Sequence, residues 1–171
     1  YYRPYKWLFI ADMFCVITAS AIDLLFPQLL NLLTKDVFQR GADEILRAIV
    51  WVGAGLLILY LIRYFCMYFI TCWGHVMGAR METNMRSDLF THYQRLSFSY
   101  YDKNNTGEMM SRIVSDLFDI TELCHHGPEM LLISTIKIIG SFAILLTINW
   151  KMTLILLAVT LCMVIFTAFQ N

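Results

Sequence analysis

The sequence predicts an all-α membrane protein, on three observations. The chain is 58% hydrophobic and 15% charged, with a mean hydropathy of +0.60, outside the balance of an ordinary soluble domain. Its apolar runs are long enough to cross a bilayer as helices. Between the second and third runs, two amphipathic stretches of helical period flank a polar turn at Asn105, Thr106, Gly107 and Glu108, so long transmembrane helices extend into water and return as a helical hairpin.

The first span covers residues 7–33, a low-charge run that reaches about 40 Å as a helix, against a hydrocarbon core of roughly 30 Å. It is too long for a signal-peptide core and lacks a small-residue cleavage site. Pro27 removes one backbone donor and is expected to bend or loosen the helix. The polar stretch TKDVFQRGADE, residues 34–44, then leads to a second span over residues 45–77. Its period continues past the membrane, with Met81, Met85, Leu89, Tyr93 and Leu96 on one face and Arg80, Glu82, Arg86, Asp88 and Arg95 on the others. On the return limb Met110, Ile113, Val114, Leu117, Thr121 and Cys124 form the expected apolar stripe, opposite Arg112, Ser115, Asp116, Asp119 and Glu122.

Residues 78–128 therefore form one long loop outside the membrane, and Gly127 and Pro128 are placed to kink the chain where it re-enters. The third span covers residues 129–149 and is interrupted by Lys137. A tight turn at Asn149, Trp150 and Lys151 opens the fourth, residues 151–171, which has no charge from Met152 to Phe169. The absence of a polar tail after it leads us to expect further helices outside this sequence.

Arg3, Lys6, Arg80, Arg86, Arg95, Lys103 and Arg112 lie at the N-terminus and in the long loop, against Lys35, Arg40, Arg47 and Lys151 on the other side. That excess places the N-terminus and the hairpin in the cytoplasm. Trp7, Trp73 and Trp150 fall near span ends, where indole rings favour the interface or pack between helices. The 13 basic and 13 acidic residues cancel, so net charge argues for no nucleic-acid or acidic partner.

At the tip of the hairpin Asn105 is placed to cap a helix while Glu108 reaches back to its N–H, a capping box. Ser99 and Asp102 repeat that spacing, so a short helix near residues 99–105 is expected to lie across the tip. Any helical hairpin needs a polar, capped turn, and local chemistry alone does not separate such a turn from a docking surface. The wider pattern does. Arg86, Leu89, Phe90, Leu96, Phe98, Tyr100, Tyr101, Asp102, Thr106, Gly107, Glu108, Ser111, Arg112 and Asp116, followed by Ile148, Asn149, Trp150, Lys151, Thr153 and Leu154, closely resemble the first cytoplasmic loop and the following span of six-helix ATP-binding-cassette exporters.

The resemblance runs over nearly the whole chain and implies the type 1 ABC exporter transmembrane fold. It also implies that Tyr100, Tyr101, Asp102, Lys103, Asn104 and Asn105 form a coupling helix resting on nucleotide-binding domains. A dimer of six-span halves, identical or not, in the cell membrane is implied too, exporting a hydrophobic or amphipathic substrate by alternating access. ATP and Mg2+ would bind at the nucleotide-binding domain, which this sequence does not contain: its eight glycines include no G-x-x-x-x-G-K-[ST], and no catalytic residue is identified. The full-length family member would be an ATPase-coupled translocase. The competing class is a non-transporting signalling or scaffold protein whose hairpin binds a partner.

Asp23, Arg63 and Lys137 interrupt apolar spans, where each charge costs roughly 2.5–3.5 kcal/mol on the insertion scale. Counting from flush outer helix ends at 1.5 Å per residue puts Asp23 at about 10–15 Å depth, Lys137 at about 18 Å and Arg63 at about 24 Å. Depth thus matches Asp23 with Lys137, either as an ion pair or as walls of a wet substrate cavity, and leaves Arg63 either to reach the headgroups or to line the same cavity. Gly74 and Gly78 form a small-x-x-x-small pair. The five cysteines contain no C-x-x-C pair. His125 and His126 diverge by about 100° on a helix, so with His75 and His92 they read as ordinary polar positions and no metal site is expected.

Overall fold

The computed structural model describes residues 1–32 and 42–170, and among them every regular element is helical. Most of the polar stretch at residues 34–44, with Lys35 and Arg40, lies outside the described residues, as does Asn171. The chain divides into two compact units, Tyr1–Ile133 and Ser134–Asn171.

In the first unit a single 3-10 turn, Arg3–Tyr5, leads into α1, Lys6–Leu32. Helix α2, Ala42–Phe69, continues through a π-helical turn at Ile70–Gly74 into α3, His75–Gln94. From Ile45 to Gln94 this is one 50-residue helix, about 75 Å long, long enough to cross a bilayer and project well beyond it. Two short helices, α4, Phe98–Lys103, and α5, Thr106–Ser111, turn the chain. A second π turn at Arg112–Asp116 leads into α6, Leu117–Ile148. Pro27 and Pro128 both lie inside helices without ending them.

Helix α1 packs antiparallel on α2, as the contacting pairs show. Phe26 meets Tyr60 edge-on at 5.4 Å, Asp23 meets Arg63, and Asp12 meets the backbone at Gly74. Val16, Ala19 and Ile22 are buried along this seam, which continues into Ile70, Met77 and Met81 on the facing helix. The N-terminus is fastened to the hairpin: the Tyr1 hydroxyl donates to Asp88 Oδ2 at 2.7 Å, Tyr2 donates to the Cys124 carbonyl, and Asn84 donates to the Tyr5 hydroxyl at 3.4 Å.

The return limb corrects the predicted stripe. Its buried positions are Met109, Ile113, Leu117, Thr121, His125 and Glu129, every fourth residue, while Met110 and Val114 are each 54% exposed. A four-residue step drifts about 40° per interval on a helix of 3.6 residues per turn. The π turn at Arg112–Asp116 inserts one residue and resets the face, so the register before it is one residue off the continuous period read from sequence.

In the second unit the C-terminal part of α6 is followed, after Asn149 alone, by α7, Trp150–Gln170. Asn149 caps α7: its Oδ1 accepts from the Met152 N–H at 3.3 Å, and its carbonyl accepts from the Thr153 N–H at 3.1 Å. Thr153 is the buried residue of α7, and large side chains such as Ile155, Val159, Phe166 and Phe169 are exposed. Among the described residues α1, the two long helices and α7 make four helices long and apolar enough to cross a membrane, and the chain is an integral membrane protein.

Candidate functional site

The tip of the hairpin is built by three local devices. Helix α3 closes with Arg95 and Leu96 donating to the carbonyls of His92 and Tyr93 at 3.1 and 3.0 Å. Ser97 is then extended, and it, rather than Ser99, occupies the cap position of α4 without a side-chain hydrogen bond. Asn104 closes α4 by donating from its backbone and its side chain to the Tyr100 carbonyl, at 3.1 and 2.8 Å. Asn105 opens α5 by accepting from the Gly107 N–H at 2.9 Å.

Only half of the predicted capping box forms. Glu108 turns outward to the Arg112 guanidinium at 2.6 Å instead of back to Asn105, because a neighbour one turn along the same helix offers a full charge. This hydrogen bond holds Arg112 above the ordinary guanidinium pKa.

The aromatic side chains at the tip divide their roles. Tyr101 is tied down, its hydroxyl donating to the Tyr93 carbonyl at 2.5 Å, and Tyr100 meets it edge-on at 6.0 Å. Phe98 is 90% exposed. The protruding apolar group is therefore Phe98, outside the sequence-derived set of Tyr100 to Asn105, while the tyrosines brace the turn. A Phe at the first position of a short capped helix is the sequence signal that could have singled it out. Asp102, Lys103, Asn104 and Asn105 are all exposed around it.

Behind the tip the limbs are tied together by Arg86, which pairs with Glu82 on its own helix and donates from Nε to the Ile113 carbonyl on the other limb at 3.4 Å. That crossing bond makes the hairpin a braced pair of rods.

In the membrane, Asp23 Oδ1 accepts from Arg63 Nε at 2.6 Å, with side chains 27% and 33% exposed. Depth counting had set Arg63 apart from Asp23, and the reason for the difference is helix stagger. Carrying the α1–α2 register outward sets Leu32 opposite Ala54, so residues 42–53 of α2 extend about 18 Å beyond the end of α1. The outer ends are not flush, and the depth count fails for that pair. Lys137 lies in the second unit.

A third constellation was not legible in sequence. His75, His125 and His126 cluster together, beside Asp12, a carboxylate in the first span missing from the sequence-derived candidates although its burial in an apolar run is itself a signal. Gly74 makes room for it: a Cβ built there would stand 2.6 Å from His125 Cε1.

The family model for the ABC transporter transmembrane region matches residues 9–171. Over 155 residues the chain is 42% identical to YwjA of Bacillus subtilis, described as an uncharacterized ABC transporter ATP-binding protein, covering 91% of this chain and 26% of that protein. It is 31% identical over 164 residues to an ATP-dependent lipid A-core flippase of Albidiferax ferrireducens, covering 93% and 27%. To YknU of Bacillus subtilis, a second uncharacterized ABC transporter ATP-binding protein, it is 28% identical over 159 residues, covering 93% and 27%. The chain thus spans about a quarter of the length of these relatives.

Proposed function

Because the chain belongs to the family of ABC transporter transmembrane regions, we propose that it is the membrane-spanning part of an ATP-driven exporter, coupled through its hairpin tip to nucleotide-binding domains. ATP with Mg2+ binds and is hydrolysed on those domains, and their closure pushes on α4. The braced limbs pass the displacement to the helices in the bilayer, which alternate between inward and outward states as one of two half-transporters. The observation that carries this reading is an exposed Phe98 on a capped helix, held between limbs cross-tied by Arg86. An equilibrium between two states shifts only through contacts that differ between them, and a stiff hairpin presenting one protruding ring is a means of making such a contact at a distance.

The N-terminus and the hairpin lie in the cytoplasm, on the charge asymmetry, and the host is the cell membrane. The substrate is hydrophobic or amphipathic. Apolar surfaces on α2 suit such a path, and several relatives are named as lipid A-core flippases. Asp23 and Arg63, as a neutralised pair, set a polar step in that path.

The test is made on the full-length transporter in lipid nanodiscs, with Phe98→Ser combined with Tyr100→Ser. The expected outcome is an assembled protein whose ATPase continues without substrate stimulation and whose export falls at least 10-fold. Export that remains coupled to ATP hydrolysis in this variant removes the tip as the contact.

A further inference from the structure

We propose that His75, His125 and His126 form a binding site for a divalent transition-metal ion of the zinc class. The site stands between the helix of the second span and that of the third. One ring nitrogen from each residue lies within 4.8 Å of the others. The ring centroids are 5.4 Å apart for His75 and His125, 5.1 Å for His75 and His126, and 4.7 Å for the adjacent pair. Neighbouring residues on a helix diverge by about 100°, but a third ring lodged between them from another helix closes the triangle. His75 occupies that place, as the first residue after the π turn.

The surroundings match what such an ion requires. His125 is 2% exposed and Asp12 0%, and neither ring nitrogen of the one nor either carboxylate oxygen of the other has a hydrogen-bond partner. Buried polar groups are nearly always satisfied, and two unsatisfied ones side by side call for an explanation. They converge on one point: a Cβ on Gly74 would lie 3.0 Å from His125 Nε2 and 3.2 Å from Asp12 Oδ1. A bound cation satisfies both, the imidazole as a ligand and the carboxylate as counter-charge.

His126 is held from behind through Nδ1, 3.1 Å from Glu129 Oε2, which leaves Nε2, 3.5 Å from Glu122 Oε2, as the nitrogen that can take the ion. A carboxylate on the far nitrogen fixes the tautomer and raises the basicity of a metal-bound imidazole. Imidazole donors select zinc-like ions over magnesium or calcium. In a tetrahedral centre with bonds of roughly 2.0–2.1 Å, donor atoms stand about 3.3 Å apart, so small side-chain rotations close the set. A cavity of about 230 Å³ bounded by His75, Gly78, Glu82 and Glu122 leads to it, giving an ion an entry path lined by carboxylates.

The experiment uses the full-length transporter with any affinity tag removed, stripped with chelator and titrated with Co2+ and then Zn2+. Expected are one Co2+ per chain with the intense visible bands of four-coordinate nitrogen and oxygen ligation, displacement by Zn2+, and a Tm raised by Zn2+. His125→Gln should weaken binding by at least roughly 10–100-fold, the loss that even an outer-shell change produces. His75→Asn, at an exposed position, should do the same while leaving the metal-free Tm unchanged, which separates ligand loss from misfolding. Absence of stoichiometric binding, a six-coordinate spectrum, a sulfur charge-transfer band, or unaltered affinity in His75→Asn would each overturn the site. None of these readouts involves ATP or export, so they stand or fall apart from the coupling reading.

Discussion

Gly74 and His125 interlock across two helices: the imidazole fills the space a Cβ on Gly74 would need, 2.6 Å from Cε1, whereas at Gly78 the nearest approach of the same residue is an ordinary 3.6 Å. Gly74 also closes the π turn that precedes α3. The small-x-x-x-small pair is therefore unequal, with one member required and the other tolerant.

Gly74→Ala is expected to destabilise the membrane domain by about 1–3 kcal/mol through overpacking, read as a lower Tm of the purified transporter. Gly78→Ala should change it little. Gly53→Ala and Gly55→Ala, with no atom within 4 Å of the new methyl, should be neutral or raise stability by up to about 1 kcal/mol through helix propensity. Equal losses at positions 74 and 78 would refute the interlock.

The Asp23–Arg63 pair predicts a non-additive mutant cycle. Asp23→Asn and Arg63→Gln each leave one charge without this partner in a membrane helix. The double variant removes both and should recover part of the stability, with a coupling energy of roughly 0.5–3 kcal/mol. The side chains are about a third exposed, which places the value toward the lower end. Strictly additive effects in thermal denaturation would show that the pair contributes nothing.

Asn105→Ala should cost about 1 kcal/mol locally, the usual loss of an N-cap, while Asn105→Ser retains an acceptor and should cost much less. Hydrogen exchange over Thr106–Ser111 is the measurement, with faster exchange expected for alanine only. Glu108→Gln, which breaks an exposed pair with Arg112, should leave the exchange of the same amides unchanged, because a solvent-exposed ion pair contributes little.

Deleting Val114, an exposed residue inside the second π turn, removes the inserted residue and should let the turn close as regular α-helix, with Met109 and Leu117 still on one face. The expected loss of Tm is smaller than that of Leu117→Ala, itself about 2–5 kcal/mol. A deletion as costly as Leu117→Ala would mean that the π turn does not set the register.

Much of this was legible in the residues. Spans announce themselves because a backbone in lipid must satisfy its own hydrogen bonds, which leaves long apolar helices as the solution. The hairpin followed from a helical period carried past the membrane, and the family from a loop pattern at Tyr100, Tyr101, Asp102, Thr106, Gly107 and Glu108. Asn105 was readable as a cap because the device is local. Glu108 was not, since its choice between the Asn105 amide and the Arg112 guanidinium depends on which one the finished helix brings nearer.

The sequence by itself determined the all-helical class, the long apolar helices, the capped turn at Asn105 and the family, since these rest on hydropathy, period and short-range chemistry. Tertiary structure alone decided that Asp23 meets Arg63, that the return limb buries Met109 and not Met110, and that three histidines converge beside Asp12. The reason is common to all three. A stagger of several residues between helix ends, or one residue inserted at a π turn, costs little locally and leaves no compositional mark, yet it changes which side chains face one another along the whole length of the helices.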